Sequence, residues 1–146
     1  MKNILLALEF DEHGKRLLGE AERLALCFES KVWIVHVAAP DPDFVGYEPG
    51  PQYIRDFRAE TLRKEHRELQ ELCEQFHQKG LEAEALLIQG NTAGTLMMEA
   101  RKLEADIIIA GHHRRSLFRQ FFQGSVSNDL LSESRIPLLI VPSDEI

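Results

Sequence analysis

The sequence predicts an α/β fold: an open, parallel, five-stranded sheet with strand order 3-2-1-4-5 and helices on both faces. Along the chain, the spacing of hydrophobic residues alternates between the two-residue period of strands and the period of about 3.6 residues of helices. This alternation is typical of strand-helix-strand units. Segments 4–8 and 107–110 are apolar throughout, as expected of central strands covered on both faces. Segment 81–88 alternates apolar residues with Glu82 and Glu84, which indicates an edge strand. Right-handed crossovers give this order as the simplest solution.

The first half of the chain contains two strands and two helices. After strand 4–8, Leu17, Ala21 and Leu24 place an apolar stripe on a helix over 12–28. Strand 32–37 follows, and segment 39–53 then carries four prolines and two glycines, which predicts an irregular loop. A long helix over 54–79 ends at Gly80, a residue favoured at helix carboxyl ends.

The second half continues the alternation. Edge strand 81–88 leads into a helix over 92–103, which Asn91 and Thr92 can cap. Strand 107–110 leads to a last helix starting near Ser125, and strand 138–141 follows Pro137, a residue suited to a strand start. Strands one and four then flank the switch point of the sheet, where open α/β sheets bind their ligands.

Composition excludes several classes of function. The chain has 146 residues, 44% of them hydrophobic, and a formal charge of -7, which indicates one domain over 1–146 and argues against nucleic acid as a partner. We expect no membrane span and no signal peptide, hence a cytoplasmic protein. Cys27 and Cys73 fall on predicted apolar helix faces, so we expect buried, reduced thiols.

Segment 111–126, GHHRRSLFRQFFQGSV, is the strongest candidate for a ligand-binding loop. It joins an apolar strand to a helix start, where free backbone N–H groups and the helix dipole favour anions. Three arginines, two histidines and no acid lie within it, although the chain is acidic overall. The alternative is a basic surface loop that binds nothing in particular; its place at the carboxyl end of a central strand favours a ligand.

The residues resemble the universal stress protein family over almost the whole chain. The resemblance lies in the opening NILLALE, in IVHV at the end of strand two, in QGN before helix three, in ADIIIAGHH, in GSV and in the closing PLLIVP. ATP-binding members carry a loop of glycine, two residues, glycine, nine residues, then glycine and a small hydroxyl residue. Gly111, Gly124 and Ser125 fall on that spacing.

The resemblance implies a Rossmann-like fold of the adenine nucleotide alpha hydrolase type, and it implies where a nucleotide would lie. Residues around the nucleoside would be Ala7, Glu9 and Val37, and residues around the phosphates would be Gly111, Arg114, Gly124, Ser125 and Val126. Each residue also has a purely structural interpretation. Ala7 and Val37 would be core residues in any case, and Glu9 or Ser125 could cap a helix.

Two departures from the family pattern predict a degraded or empty nucleotide site. Arg114 replaces the second glycine of the loop, and a residue with a Cβ does not readily adopt positive φ or let phosphates approach. Glu9 replaces the aspartate that ends strand one in ATP-binding members. Arg114 either contacts phosphate or fills the site by pairing with Glu9, and the sequence leaves both open.

We therefore expect a homodimeric, non-catalytic stress-response protein that acts through unidentified protein partners and requires no cofactor. The alternative is an ATP or AMP switch of the same fold that uses loop 111–126. A hydrolase ranks third, because no residue is evidently placed to activate water. We expect neither a metal site, since His112 and His113 have no further ligand nearby, nor a nucleic-acid or membrane partner.

The last strand predicts how the dimer forms. In the predicted order it is an unpaired, apolar edge, and such an edge invites pairing with a second copy of itself. Family members that resemble this chain pair at that edge. The expected interface residues are Leu138, Leu139, Ile140 and Val141.

Overall fold

The structure is a computed structural model that describes residues 1–38, 52–112 and 126–142. In chain order, the elements are β1 (Asn3–Ala7), α1 (Gly14–Phe28), β2 (Lys31–Ala38), α2 (Gln52–Gln78), β3 (Ala83–Gln89), α3 (Thr92–Lys102), β4 (Ile107–His112), α4 (Val126–Glu133) and β5 (Leu138–Pro142). No helix in these ranges is long and apolar enough to cross a membrane.

The five strands form one parallel sheet in the order β3-β2-β1-β4-β5, which confirms the predicted fold class. β1 is central, with Leu6 paired to Ile34 on one side and Ile109 on the other. β3 and β5 are the two edges. The chain leaves β1 toward β2 through α1, while β4 lies on its other side, so the switch point falls between β1 and β4 as predicted.

Helices cover both faces of the sheet and account for its apolar strands. On one face, Ile4 and Leu6 pack in a single core with residues of α1 and α2, including Leu17 and Leu69. On the other face, Leu5 packs in a second core with residues of α3 and α4. Successive side chains of β1 therefore enter different cores, and no polar position is left in the centre of this strand.

Local hydrogen bonds set the element boundaries where they differ from the predicted ones. α1 begins at Gly14 because Asp11 forms a preceding turn, in which its side chain and its carbonyl both accept from the Gly14 amide at 3.1 Å. α2 ends as predicted at a left-handed glycine, Gly80, with φ of 78°. Leu81 then donates to the Phe76 carbonyl, so β3 starts only at Ala83.

The prediction that both cysteines are buried is wrong for Cys27. The buried stripe of α1 ends with Ala21 and Ala25, and Cys27 lies two residues farther, on the opposite side of the helix. Phe28, the last residue of α1, is likewise 52% exposed. Cys73 is buried as predicted. Burial raises the pKa of the Cys73 thiol, and the charge of Glu84 raises it further.

We expect the two thiols to react at very different rates. At pH 7.5 an excess of iodoacetamide should modify Cys27 completely while Cys73 stays unmodified, because only exposed thiolate reacts quickly. Mass spectrometry of peptides at timed intervals measures both rates. Cys27→Ser should abolish the fast phase and Cys73→Ser should leave it intact; modification of Cys73 at the rate of Cys27 would contradict the packing of α2.

The amino end of β1 is held by one exposed carboxylate. Asp106 Oδ2 accepts hydrogen bonds from the Lys2 amide at 2.6 Å and from the Asn3 amide at 2.9 Å. Both bonds lower the pKa of Asp106 from its ordinary 3.8, and the bond from the Asn3 amide has the larger effect. A carboxyl group with a lowered pKa stabilises the fold above its unfolded-state pKa, and this stabilisation is lost as the pH falls through the folded-state pKa.

Asp106→Asn should therefore lower the melting temperature at pH 7 and have less effect below pH 3, where the wild-type carboxyl is also becoming protonated. Calorimetric melting curves of both proteins between pH 2.5 and 7 measure the difference. Glu82→Gln, which changes an exposed carboxyl just before β3, serves as the control and should be nearly neutral throughout. An equal loss of stability for Asp106→Asn at every pH would show that its charge is not what holds β1.

Candidate functional site

Four of the predicted site residues lie at the carboxyl edge of the three inner strands. Ala7 is the last residue of β1, and Glu9 follows two residues later with an exposed side chain. Val37 lies near the end of β2, two residues past Val35, the partner of Ala7. Gly111 lies near the end of β4, two residues past Ile109, the partner of Leu6. The structure thus brings both sides of the switch point to one edge.

The other predicted site residues are placed less completely. Val126 is the first residue of α4, so a helix start does follow the loop, close to the predicted position at Ser125. Arg114, Gly124 and Ser125 lie outside the described residues, as does the proposed pairing of Arg114 with Glu9. Whether any of these residues binds a nucleotide therefore stays a prediction.

His13 is a buried residue of this edge that sequence reasoning missed. It precedes α1 and is only 7% exposed. Its Nε2 lies 2.9 Å from the carbonyl oxygen of Val141 in β5, and since a carbonyl can only accept, Nε2 carries the hydrogen. Next to it, Arg16 donates to the Pro142 carbonyl at 2.7 Å. The start of α1 is therefore fastened to the carboxyl end of β5.

The ring of His13 also explains why residue 111 is a glycine. A Cβ on Gly111 would lie 2.7 Å from His13 Cδ2 and 2.8 Å from Nε2, closer than side chains pack. The resemblance to the family implies only that this glycine lies around the phosphates of a nucleotide. In the structure, the missing side chain is required by the imidazole, with or without a ligand.

His36 and Phe10 form the part of the edge between β1 and β2. The His36 ring lies edge-on to Phe10, with ring centroids 4.6 Å apart and an interplanar angle of 60°. Its Nδ1 lies 2.8 Å from the Leu8 carbonyl oxygen and its Nε2 lies 2.9 Å from Glu65 Oε2 in α2. In the sequence, His36 stands out only as part of IVHV, and its spacing gives no sign of these two partners, of which one follows β1 and the other lies in α2.

The entrance to α3 is a second turn at this edge, and it is capped by Asn91, one of the two predicted capping residues. Asn91 is the N-cap residue and its side chain accepts from the Gly94 amide, at a long 3.5 Å. Gly90 donates to the Ala38 carbonyl at 3.1 Å, and a Cβ on Gly90 would meet Thr95 Oγ1 at 2.6 Å. Packing again accounts for a glycine at the carboxyl edge.

Within the described ranges, His13 and His36 of the carboxyl edge contact oxygen atoms of other parts of the fold. In residues 1–38, 52–112 and 126–142, no three histidine, cysteine or acidic side chains are grouped so that they could hold a metal ion. His13 is engaged with a main-chain carbonyl, and His36 with a carbonyl and a carboxylate. Each imidazole here is placed to hold elements of the fold together.

Comparison with known proteins shows the family. The model of the "Universal stress protein family" matches residues 1–142. A protein of Thermus aquaticus described as "Universal stress protein in QAH/OAS sulfhydrylase 3'region" is 31% identical over 141 residues, which cover 96% of this chain and 98% of that protein.

Solved structures share the fold. A universal stress protein family member from Burkholderia pseudomallei has a TM-score of 0.73 at 23% identity, with 97% of this chain and 96% of the other covered. A family protein from Arabidopsis thaliana, described with AMP bound, has a TM-score of 0.65 at 15% identity, with 99% and 93% covered. One from Archaeoglobus fulgidus has a TM-score of 0.69 at 17% identity; this chain is 97% covered but spans only 44% of that one. The chain belongs to the universal stress protein family.

Proposed function

We propose that this protein is a cytoplasmic, homodimeric universal stress protein that acts through protein partners without catalysis, and that its adenine-nucleotide site is degraded. The observation that carries the proposal is the contact of His13 with Gly111. Because the imidazole accounts for this glycine, Gly111 is no longer specific support for phosphate binding. Arg114 at the family's second glycine position then weakens the nucleotide loop further.

The absence of catalysis is supported by the positions of the two imidazoles at the edge. An imidazole acts as a general base only through a ring nitrogen that is free to take a proton from the reacting group. His13 Nε2 donates to the Val141 carbonyl, and both nitrogens of His36 face acceptor oxygens. These hydrogen bonds would have to break before His13 Nε2 or either nitrogen of His36 could serve a substrate.

The dimer is supported by the position of β5. It is an edge strand, and Leu138, Leu139 and Ile140 are only half-buried within the single chain. Leu131 of the neighbouring α4 is largely exposed. Pairing two copies along β5 would cover these side chains and satisfy the outer main-chain groups of the strand.

A second candidate function is an ATP or AMP switch. It is favoured by the Arabidopsis thaliana protein, which has the same fold and was described with AMP bound. Here loop 111–126 would receive the phosphates while Ala7, Glu9 and Val37 would surround the nucleoside, and the bound state would alter the surface offered to partners. The two candidates differ in one measurable quantity, nucleotide affinity.

A thermal-shift experiment separates the two candidates. With 1 mM ATP or AMP and magnesium, we expect no change in melting temperature beyond that seen with GTP, since a degraded site gives no specific stabilisation. A working site with a Kd near 10 μM would stabilise the fold by about 2.7 kcal/mol and raise the melting temperature by about 5 °C or more. A specific shift with ATP or AMP would reject the degraded site in favour of the switch, and release of ADP on incubation with ATP would reject the non-catalytic assignment.

A further inference from the structure

One histidine connects three elements at the carboxyl edge of the sheet. His36 belongs to β2 and its side chain is 15% exposed. Nδ1 reaches the carbonyl of Leu8, the residue that follows β1, at 2.8 Å. Nε2 reaches Glu65 of α2, itself 21% exposed, at 2.9 Å. We call this arrangement of Leu8, His36 and Glu65 the imidazole bridge.

Hydrogen bonds at both ends of the bridge require two protons. The Leu8 carbonyl has no hydrogen to donate, so Nδ1 must carry one. Glu65 Oε2 is shielded from solvent and, within the described part of the chain, has no hydrogen-bond partner unless a proton lies between it and His36 Nε2. A neutral imidazole beside an ionised carboxylate would supply only one of the two bonds. The bridge is complete when the second proton is present, whichever of the two side chains formally holds it.

The bridge matters most for the amino-terminal half of α2. The side chain of Ile54 is not described, and none of the other side chains of residues 52–68 is buried. Leu69 is the first buried residue among the described side chains of α2. The carboxyl half, in contrast, supplies Leu69, Cys73 and Phe76 to the core. A hydrogen bond between partly buried groups is less screened by solvent than an exposed ion pair, so the contact with Glu65 attaches a half-helix whose described side chains include no buried residue.

The other end of the bridge contacts the main chain where it leaves β1. Leu8 still donates to the Val35 carbonyl at 2.9 Å, while its own carbonyl accepts from His36. Glu9 comes next in the chain, and Phe10 packs against the His36 ring. The orientation in which Glu9 leaves the sheet therefore depends on the same imidazole that holds α2.

We propose that His36 is a positioning residue: the imidazole bridge joins the amino-terminal half of α2 to the exit of β1 and so fixes the wall of the carboxyl edge that contains Glu9 and Phe10. This coupling goes beyond the proposed function and does not depend on whether a nucleotide binds. A ligand or partner that displaces the β1 exit acts on α2 through this imidazole.

Two substitutions of His36 separate the two arms of the bridge. In His36→Asn the side-chain amide takes the place of Nδ1 and keeps the bond to Leu8 but cannot reach Glu65. In His36→Gln the amide takes the place of Nε2 and keeps the bond to Glu65 but not that to Leu8. Amide hydrogen exchange, read by mass spectrometry and NMR on the full chain, follows each segment separately.

His36→Asn should raise exchange about tenfold or more across residues 52–68 and leave residues 69–78 unchanged. His36→Gln should instead raise exchange at the amides of Leu8 and Asp11. His66→Asn, at the next position of α2 after Glu65 and fully outside the bridge, is the control and should change neither segment. Uniform changes over the whole chain, or no change in residues 52–68 with His36→Asn, would overturn the proposal.

Ring nitrogen shifts test the bridge without perturbing the fold. In the wild-type protein at pH 7, Nδ1 of His36 should carry a hydrogen. In Glu65→Gln, Nδ1 should still carry a hydrogen and amide hydrogen exchange should stay at the wild-type rate. The new side-chain amide can donate to a neutral Nε2 while Nδ1 still donates to the Leu8 carbonyl. An unprotonated Nδ1 in the wild-type protein would show that the bridge does not form. Nucleotide affinity is read in a separate titration, so failure of the proposed function leaves these readouts unaffected.

Discussion

Gly111→Ala should destabilise the protein by about 1–3 kcal/mol, because the new methyl group must enter space already filled by a buried ring. The Cβ would lie 2.7 Å from His13 Cδ2 and 3.4 Å from a methyl carbon of Leu17. His13 cannot simply turn away, since its Nε2 is bonded to the Val141 carbonyl. Denaturant unfolding of the two proteins measures the free-energy difference.

A double-mutant cycle with His13→Ala identifies the cause. His13→Ala alone loses a buried hydrogen bond and is destabilising, but it removes the ring that the alanine would meet. In the His13→Ala background, Gly111→Ala should therefore lower the free energy of unfolding much less than it does in the wild-type protein. Gly19→Ala is the control, because no atom lies within 4 Å of its added Cβ and alanine favours the helix by about 0.4–1 kcal/mol. Equal costs for Gly111→Ala in both backgrounds would contradict the packing of His13 on Gly111.

Ile140→Lys should convert the proposed dimer entirely into monomer. Ile140 is a half-buried residue of the edge strand β5, and a lysine there would bring a charge from each copy into the apolar interface. Light scattering coupled to size-exclusion chromatography measures the mass directly. The expected wild-type mass is twice the chain mass of 16.7 kDa.

The matched control is Leu86→Lys on the opposite edge. Leu86 lies in β3 and is also half-buried against the same core, so a lysine there costs packing in a similar way. It should leave the dimer intact. A dimeric Ile140→Lys protein would exclude β5 as the interface, and a monomeric Leu86→Lys protein would show that loss of packing, rather than the edge, dissociates the subunits.

The strand order was predictable because the pattern of apolar and polar residues along each strand reflects which of its faces are buried. Ile4, Leu5 and Leu6 are all fully buried, since successive residues face two separate cores, and a strand buried on both faces carries no polar residue. Glu84 is exposed on the edge strand β3, which explains the alternation that marked it. These patterns depend on neighbours within one element and can be read locally.

The contacts at the carboxyl edge could not be predicted in the same way. His13 bonds to a residue 128 positions away and His36 to one 28 positions away, and no local period encodes such pairings. The resemblance to the family placed Ala7, Glu9, Val37 and Gly111 at one edge, and the structure agrees on their location. It gives a different reason for Gly111, because side-chain packing between distant segments, here with His13, cannot be read from glycine spacing.

Calorimetric titration of ATP into wild-type protein and Arg114→Gly tests the degraded site most directly. The account predicts no sub-millimolar binding by the wild-type protein and tighter binding by Arg114→Gly, which restores a glycine where positive φ and close approach of phosphate are needed. Arg115→Gly, which removes a neighbouring charge without restoring the family spacing, should bind no better than wild type. Sub-millimolar binding by the wild-type protein that weakens in Arg114→Gly would contradict the account, because Arg114 would then be a phosphate ligand whose charge-assisted bonds are worth about 1.5–3 kcal/mol each.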